Sequence, residues 1–540
     1  MGSRMGKNNV NWALIRAGVA VFFALFFFYP LFLVMAKAFL LNQDSPQKAI
    51  VFLFEHKKLF WSTFFQALVS TIFSVLIGVP FGLITATRQF PGKKIISALS
   101  LVPFVFPSIL VVVSFVIVFG NNGWMNNFLK NVFGFQEGVQ FLYGFSGIIL
   151  AHVFYNFSLI ARFVSTALEN TDASLKEAAR TLGAGKRQVF FRITLPQIMP
   201  SIIASATIVF IYTFTSFAIV IGLGSLEFST LEVEIYKQIT QQLNFGLGAL
   251  LALAQFAFLA ALAFVFASFS KKFSSKEKFF SEKPAKLSLK TPQGLVETVF
   301  LSAAVLFAAL PITALIVFAF FESGEFSPKA FEKIFFSTAK SLSGTTPLSA
   351  VFYSFAFALV SAATATLLGL ASALKQSRFS AIEFFASASI AVSIITLGFG
   401  YVLGFGGGNF FIISIGHAVL SFPFSFRLLK NALDKIESGT IDSARPLGAG
   451  NFAVLSLVQL PLIKNAIFAS LAFGFAVSLG ELGLTLVLYN GVYATMPVYI
   501  YRLLAAFDLH SAAAMGLILA LASFLSFYAI EKFSDKAQVL

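Results

Sequence analysis

The sequence predicts an all-α polytopic membrane protein with about twelve transmembrane helices, arranged as two parallel repeats of six helices. Hydrophobic residues make up 58% of the 540 residues and charged residues only 11%, whereas a soluble domain carries about a quarter charged residues. Several apolar runs exceed the roughly 20 residues that a helix needs to cross a bilayer. A polar, glycine-containing segment of the first half also recurs 265 residues later.

The apolar runs are hydrophobic on every side, which is typical of helices that face lipid or lie inside a bundle. They are continuous and do not alternate with polar residues, which excludes a membrane β-barrel. The predicted spans are 12–40, 61–87, 95–119, 144–169, 197–222 and 246–270 in the first half, and 294–321, 350–374, 383–403, 411–433, 465–489 and 509–530 in the second.

Lysine and arginine residues are distributed unequally between the two sides of the predicted membrane. If the amino terminus is cytoplasmic, the segments on that side hold 24 of them and the opposite loops hold 9. Because basic residues are retained on the cytoplasmic side, we expect both termini to be cytoplasmic. We expect no nucleic-acid partner despite the net charge of +15, since the basic residues lie in short loops and not on one folded face.

A basic segment, 271–293, separates the two sets of spans. Its stretch Lys271–Lys290 holds seven lysines and two glutamates, a composition that cannot bury a core. We predict a flexible cytoplasmic linker, with a site for anionic lipid as the alternative. The predicted domains are therefore a first repeat, 1–270, the linker, 271–293, and a second repeat, 294–540.

The internal repeat holds a constant offset of 265 over 85 positions without a gap. His152 matches His417, and the pair Ile235–Tyr236 matches Ile500–Tyr501. Since an even number of predicted spans separates the copies, both have the same orientation in the membrane. We expect the halves to pack about a pseudo-twofold axis along the membrane normal.

The segment 170–196 is predicted to form a short helix, a turn and the start of the next span. Ser174 and Glu177 have the spacing of a capping box, and Gly183 suits a left-handed helix end. Leu195–Pro196 are predicted to open the following span, because proline is tolerated at a helix start.

The second copy, 435–461, has the same glycines and the same Leu-Pro pair, but it carries Pro446 where the first copy has a helical threonine. A proline inside a helix removes a backbone donor. We therefore expect the short helix of the second copy to be kinked or shortened.

These two segments resemble the EAA loop of ABC importer permeases, whose pattern is Glu-Ala-Ala, three residues, Gly, nine residues and Ile-x-Leu-Pro. The first copy matches throughout, whereas Asp442, Ser443 and Val458 depart from the pattern in the second. The resemblance implies the type I ABC importer permease fold in the bacterial inner (cytoplasmic) membrane. It assigns ATPase coupling to Glu177, Ala178, Ala179, Gly183, Leu195, Pro196, Asp442, Ala444, Gly448, Leu460 and Pro461.

The resemblance also implies the partners: two copies of an ABC ATPase subunit, an extracytoplasmic substrate-binding protein and membrane lipid. One fused chain with two loops implies one permease chain per complex. The glycine-rich stretch Gly404–Asn409 lacks the Lys-Ser/Thr of a phosphate loop. We therefore expect ATP and Mg in the partner ATPase, with no cofactor and no catalytic site in this chain, which is not an enzyme.

The chain is most similar to the fused permeases of thiamine and ferric iron importers. Ferric permeases carry an acid-glycine pair in both halves, whereas here Glu481–Gly483 has an acid and Thr215–Phe217 has none. This asymmetry favours thiamine or its phosphates, with ferric iron as the alternative. Ferric iron prefers several oxygen ligands, and the predicted spans hold few acids. A secondary transporter that needs no ATPase is the alternative class, and acids in its spans would mark it.

The residues predicted to line the translocation path are Ser216, Tyr236, Glu481 and Tyr501. An acid inside a span is expensive and suggests a function, but the favoured alternative for Glu481 is pairing with a Lys, an Arg or a helix end that holds the halves together. His152 and His417 could ligate a metal. Because their placement in the repeat favours a shared packing or hydrogen-bond role, we expect no metal site.

Overall fold

The computed structural model describes residues 12–40, 51, 55–97, 103, 106–171, 173–225, 228–270, 284–338, 344–374, 392–444, 446 and 449–537. The helices of the first half are α1 (Trp12–Phe23), α2 (Tyr29–Leu40), α3 (Lys57–Thr87), α4 (Ser108–Phe119), α5 (Trp124–Phe133), α6 (Phe145–Glu169), α7 (Ala173–Thr181), α8 (Lys186–Val189), α9 (Leu195–Phe214), α10 (Ala218–Leu223), α11 (Leu231–Thr240) and α12 (Phe245–Ser270).

The second half has an equivalent series of helices. They are α13 (Pro292–Phe320), α14 (Lys329–Phe336), α15 (Pro347–Ala373), α16 (Ile394–Phe405), α17 (Phe410–Asp434), α18 (Ser438–Ala444), α19 (Asn451–Ala453), α20 (Leu460–Leu462), α21 (Lys464–Gly480), α22 (Gly483–Leu488), α23 (Met496–Ala505) and α24 (Leu509–Ala537). Short π-helices occupy Ala24–Phe28, Phe190–Thr194 and Val454–Gln459. The strands are β1 (Arg88–Gln89), β2 (Ala285–Lys286), β3 (Phe321–Glu322) and β4 (Glu325–Phe326).

The predicted all-α membrane fold is confirmed. Within the described residues, ten helices are long and apolar enough to cross a membrane, and an eleventh span results if one bent pair is counted. The predicted span 383–403 is represented by α16, a shorter apolar helix; residues 375–391, which include the start of that predicted span, lie outside the described part of the chain.

The prediction that Leu195–Pro196 open the fifth span is wrong. The helix begins at Lys186 and continues through the π-helix Phe190–Thr194 into α9. A proline inside a helix removes one backbone donor, and a π-bulge is one way in which a helix accommodates such a defect. The π-helix therefore ends directly before the Leu-Pro pair, and the span reaches well into the coupling segment.

The eleventh span repeats this pattern with a sharper outcome. The π-helix Val454–Gln459 again precedes the Leu-Pro pair, but the chain then bends by 72° between the helices Asn451–Leu462 and Lys464–Gly480. Ile463 lies at the bend with φ −97° and ψ 10°. Both halves thus have a π-helix before the Leu-Pro pair, but the span continues through it in the first half and bends after it in the second.

The first span packs against the opposite half. The Tyr401 hydroxyl in α16 donates to the carbonyl oxygen of Phe26 at 2.7 Å, and the ring centroids of Phe23 and Phe422 lie 4.5 Å apart. The backbone of the first span comes so close that a side-chain carbon at Gly400 would lie 2.6 Å from the Pro30 carbonyl oxygen. Only glycine permits such a close approach of two helices.

The first span of the second half makes the reciprocal contact. In α13, Leu301, Ala304 and Ala308 join a buried apolar cluster with Phe81 and Phe157 of the first half. Each half is therefore held by the first helix of the other, and the two repeats form one interlocked bundle with a continuous core.

The end of the linker is also bound to the first half. β2 pairs with β1 in parallel, with Arg88 opposite Ala285. The Arg88 guanidinium donates from Nε and Nη2 to the two oxygens of Glu297 in α13, each at 2.7 Å. The predicted flexible linker is thus ordered from residue 284 onward, while 271–283 lie outside the described residues.

Candidate functional site

The first coupling segment is a helix that ends in a glycine turn. The Ala184 N–H donates to the Ala179 carbonyl at 2.9 Å, and the Gly183 N–H donates to the Arg180 carbonyl at 3.0 Å. With a φ of +85° at Gly183, these bonds form a Schellman motif. The predicted left-handed end of this helix is confirmed.

The surface of this segment is largely open. Glu177 and Ala178 are exposed, and Leu182, directly before the turn, is 87% exposed. A single exposed apolar side chain is common on folded proteins, so the exposure of Leu182 shows only that this face of the segment is uncovered in the chain itself. The predicted cap by Ser174 is wrong, because α7 begins at Ala173 and Ser174 lies inside its first turn.

The second coupling segment has an equivalent backbone hydrogen bond at the end of a shorter helix. Its Ala449 N–H donates to the Ala444 carbonyl at 3.3 Å, which is the bond equivalent to that between Ala184 and Ala179. Here α18 ends at Ala444, before Pro446, whereas α7 continues to Thr181. The predicted shortening by proline is confirmed, and Gly448 lies outside the described residues.

The Leu-Pro pair of each copy lies inside a helix and not at a free helix start. Leu195 and Leu460 are partly buried, and Pro196 and Pro461 are exposed. Asp442 is also exposed. The assignment of these residues to ATPase coupling stays a prediction.

A break at the end of the fifth span carries the first of two equivalent polar clusters. The helix stops at Phe214 and restarts as α10. Beside the break, His152 is 1% exposed. Its Nε2 lies 2.8 Å from Ser216 Oγ and its Nδ1 lies 3.1 Å from Ser70 Oγ. The histidine therefore joins α6 to α3 and to the break.

The second half has the same arrangement with an acid in place of the serine, because Glu481 occupies the repeat position of Ser216. His417 is completely buried. Its Nε2 lies 3.1 Å from Glu481 Oε2 and its Nδ1 lies 2.7 Å from Ser478 Oγ. The duplicated histidines thus share a hydrogen-bond role at the helix breaks.

Glu481 also holds the start of α22. Its Oε1 accepts the Leu484 N–H at 2.7 Å, and its Oε2 accepts the Thr485 N–H at 3.0 Å and the Thr485 hydroxyl at 2.9 Å. The first N–H groups of a helix have no partner within the helix, so a carboxylate satisfies them well.

The predicted pairing of Glu481 is therefore right in one respect and wrong in one. It binds a helix end, one of the three partners that were predicted, and its ionisable partner is His417. Its partners among the described residues belong to the second half, so the pairing does not hold the halves together. A role in the translocation path stays a prediction for this residue.

The other three predicted path residues lie close together. Ser216 is next to Phe217, whose ring meets that of Tyr236 edge to face at 5.2 Å. Tyr236 is also near enough to Tyr501 and Arg502 of the second half for the charges of these groups to influence one another. Aromatic side chains from both halves therefore lie in the neighbourhood of the first helix break.

Arg502 adds a cation to this aromatic group. Its guanidinium carbon lies 5.0 Å from the centroid of the Tyr489 ring, within the range of a cation–π interaction. Arg502 directly follows Tyr501, and the repeat position in the first half is Lys237. Neither cation was predicted to belong to the site, although the repeat offset alone would have revealed the pair.

Among the described residues, no group of three or more His, Cys, Asp or Glu side chains could hold a metal ion. The two histidines that could have ligated one lie in separate halves, each with its own hydroxyl partners.

Comparison with known proteins extends this description. Three relatives are each named Thiamine transport system permease protein ThiP. The protein from Escherichia coli (strain K12) is 24% identical, covering 87% of this chain and 88% of the relative. That from Brucella abortus (strain 2308) is 27% identical, covering 85% and 84%. That from Haemophilus influenzae (strain ATCC 51907 / DSM 11121 / KW20 / Rd) is 27% identical, covering 88% of each chain.

The family described as "Binding-protein-dependent transport system inner membrane component" matches residues 78–276 and 365–538. The two matches fall one in each half, which agrees with the internal repeat, and they omit the first span of each half. This match decides against the alternative of a secondary transporter. Because the matched segments cover more than half of the sequence, the chain belongs to the family of inner membrane components of binding-protein-dependent transport systems.

Proposed function

We propose that this chain is the permease of an ABC importer for thiamine or its phosphates. The observation that carries the proposal is the similarity to thiamine permeases along nearly the whole fused chain. The aromatic group around Tyr236, Tyr489 and Tyr501 supports it, since ring faces attract a heteroaromatic cation. The cation of Arg502 suits the phosphate of a phosphorylated form.

The two coupling segments are proposed to dock onto separate ATPase subunits, which supply the ATP and Mg. The support is their matched geometry: each is an exposed helix closed by the same backbone bond, at Ala184 and at Ala449. In each half the next span is continuous with the segment or bends within it. A movement of the docked helix is thereby passed directly to the membrane helices.

The proposed orientation has both termini and both coupling segments in the cytoplasm. The excess of basic residues on that side supports it. The substrate-binding protein then meets the opposite face, where α11 and α23 and the chain around them, 223–245 and 490–508, lie.

We expect a complex of one permease chain and two ATPase subunits, because one chain already carries two coupling segments. The masses of the purified complex and of its subunits, measured by native mass spectrometry, check this ratio. A complex with two permease chains and two ATPases would contradict the one-chain assembly.

Thiamine is expected to stimulate ATP hydrolysis by the complex when it is reconstituted in lipid vesicles with its substrate-binding protein. Hydrolysis is measured with the binding protein empty, loaded with thiamine, loaded with thiamine monophosphate, and offered ferric iron. The empty binding protein is the matched control. Stimulation by ferric iron and not by either thiamine compound would refute the proposed substrate.

A further inference from the structure

An acid that follows the fifth span is hidden between the two halves. Glu232 lies in the first turn of α11 and is 1% exposed. Ser393, which caps α16 in the second half, donates its hydroxyl to Glu232 Oε2 at 2.7 Å. The same Ser393 oxygen accepts the Thr396 N–H at 3.2 Å. A single hydrogen bond to Glu232 thus ties the cap of α16 to α11 of the other half.

A neutral amide also lies beside Glu232. Gln255 of α12 is completely buried there, and neither its amide nitrogen nor its amide oxygen makes a hydrogen bond of good geometry to a described residue. The amide is nevertheless close enough to lower the pKa of the carboxyl. An unpartnered amide can donate to a carboxylate or accept from a carboxylic acid, so Gln255 suits both forms of Glu232.

Among the residues that the structure describes, no cation is a cause of the pKa shift of the Glu232 carboxyl. Burial raises the pKa of the carboxyl to about 8, and the groups that oppose this rise are the neutral Ser393 and Gln255. α12 carries no ionisable residue. The ionisable residues of α11 and of the helices packed against it are Glu234, Tyr236 and Lys237 on α11, Lys57 and Lys58 on α3, and Tyr401 on α16.

The contact between Glu232 and Ser393 has no equivalent at the repeat position of Glu232 in the other half. The repeat position of Glu232 in the second half is Pro497, which has no acid to offer. A contact that served only to pack the duplicated scaffold would be expected in both halves. The fifth span shows at which end of the bundle this contact lies. It runs 29 residues from Lys186 to Phe214, about 40 Å. Because the coupling segment lies at the start of this span and α11 follows its end, the contact lies at the end remote from the coupling segments.

We propose that Glu232 is a proton-dependent latch, which holds the halves together at that end of the path while it is protonated and releases its proton when they part. The proton bound to the carboxyl oxygen passes to water as the path opens, and no other reactant is needed. This inference concerns the movement of the permease and does not depend on which substrate it carries.

The direction of the pH effect follows from the two states. In the closed state the carboxyl keeps its proton up to a pH of about 8, whereas in water a glutamic acid loses it near 4.3. The closed contact is therefore fully favoured below the lower value and weakens as the pH rises through the higher one. Within that window each pH unit shifts the equilibrium towards the open state by up to about tenfold.

The absence of cysteine from the chain allows a direct test with a single introduced thiol. Thr396 is 3% exposed next to the latch, and its hydroxyl makes no hydrogen bond to a described residue, so Thr396→Cys reports opening. The full-length variant in membrane vesicles is treated with N-ethylmaleimide at pH 6 and pH 8. The rate of thiol modification in this variant is divided by the rate in Asn121→Cys, a variant of an exposed residue. The ratio removes the effect of pH on the ionisation of the thiol itself.

We expect this rate ratio to rise more than tenfold from pH 6 to pH 8 with Glu232 present, and to change less than about twofold in Glu232→Gln. The amide imitates the protonated acid and cannot ionise. In Ser393→Ala, which loses the hydrogen bond, the ratio should already be high at pH 6. An equal rise in Glu232→Gln, a flat ratio with Glu232, or an unchanged ratio in Ser393→Ala would each overturn the latch.

Discussion

Replacement of Gly183 by valine is expected to reduce transport at least about tenfold while the permease stays at its normal level in the membrane. The φ of +85° at this residue is an outlier for a β-branched side chain and costs about 1–2 kcal/mol. Breaking the hydrogen bonds of the Schellman motif relieves this strain but changes the orientation of α7. A cost of about 1.4 kcal/mol is a factor of ten in an equilibrium constant. Because docking requires one orientation of α7, the equilibrium constant for docking falls by about that factor.

Two neighbouring variants separate backbone strain from added bulk. Gly183→Asn should transport nearly normally, because asparagine tolerates the left-handed region. Gly185→Val should also be mild: its φ is −69°, and a side-chain carbon at Gly183 or at Gly185 meets no atom within 4 Å. Uptake and copurification of the ATPase are measured at matched expression. Equal losses for valine and asparagine at Gly183 would contradict the conformational reason.

The second coupling segment is expected to be less sensitive. Its helix α18 already ends early at Ala444, so Gly448→Val should damage transport less than Gly183→Val. The same uptake assay compares the two, and a larger loss at Gly448 would mean that the shorter segment dominates coupling.

Glu481→Ala is expected to lower the free energy of unfolding by about 3 kcal/mol or more, because each buried donor that loses its acceptor costs about 1–3 kcal/mol. The change leaves His417 and the first N–H groups of α22 without their acceptor. Its side chain is only 4% exposed, so water cannot replace the lost bonds. The measurement is a thermal or denaturant unfolding curve of the purified permease in detergent.

The repeat provides the matched control for this variant. Ser216→Ala removes the equivalent partner of His152, but only one hydroxyl bond, which is worth about 1 kcal/mol. Glu481→Gln should fall between the two, since the amide oxygen still accepts one N–H group. Equal destabilisation by Glu481→Ala and Ser216→Ala would show that the carboxylate does not support α22.

The class of fold could be predicted because hydropathy sums over whole helices and depends little on which neighbours each helix meets. The parallel repeat required only the constant offset between His152 and His417. The turn at Gly183 was also a local matter, since a helix end with positive φ has few acceptable residues. These features are properties of segments and survive any arrangement of the segments in space.

Part of the candidate site also follows from the repeat. The offset pairs Ser216 with Glu481 and Tyr236 with Tyr501, and Ser216 and Glu481 lie beside the equivalent histidines at the helix breaks. A role of these four residues in the translocation path stays a prediction. The partner of Glu481 could not be predicted. A histidine 64 residues earlier in the chain has no sequence signal that distinguishes it from a Lys or an Arg elsewhere.

What only the tertiary structure decided are the relations between segments. The polar stretch that holds Glu232 has the composition of an exposed loop, yet Glu232 is buried and is bound by Ser393 of the other half. The first span of each half crosses to the opposite half, as the contact of Tyr401 with Phe26 shows. Hydrophobicity along the chain determines that a residue leaves water, but the partner that covers it is set by shape complementarity across the whole bundle.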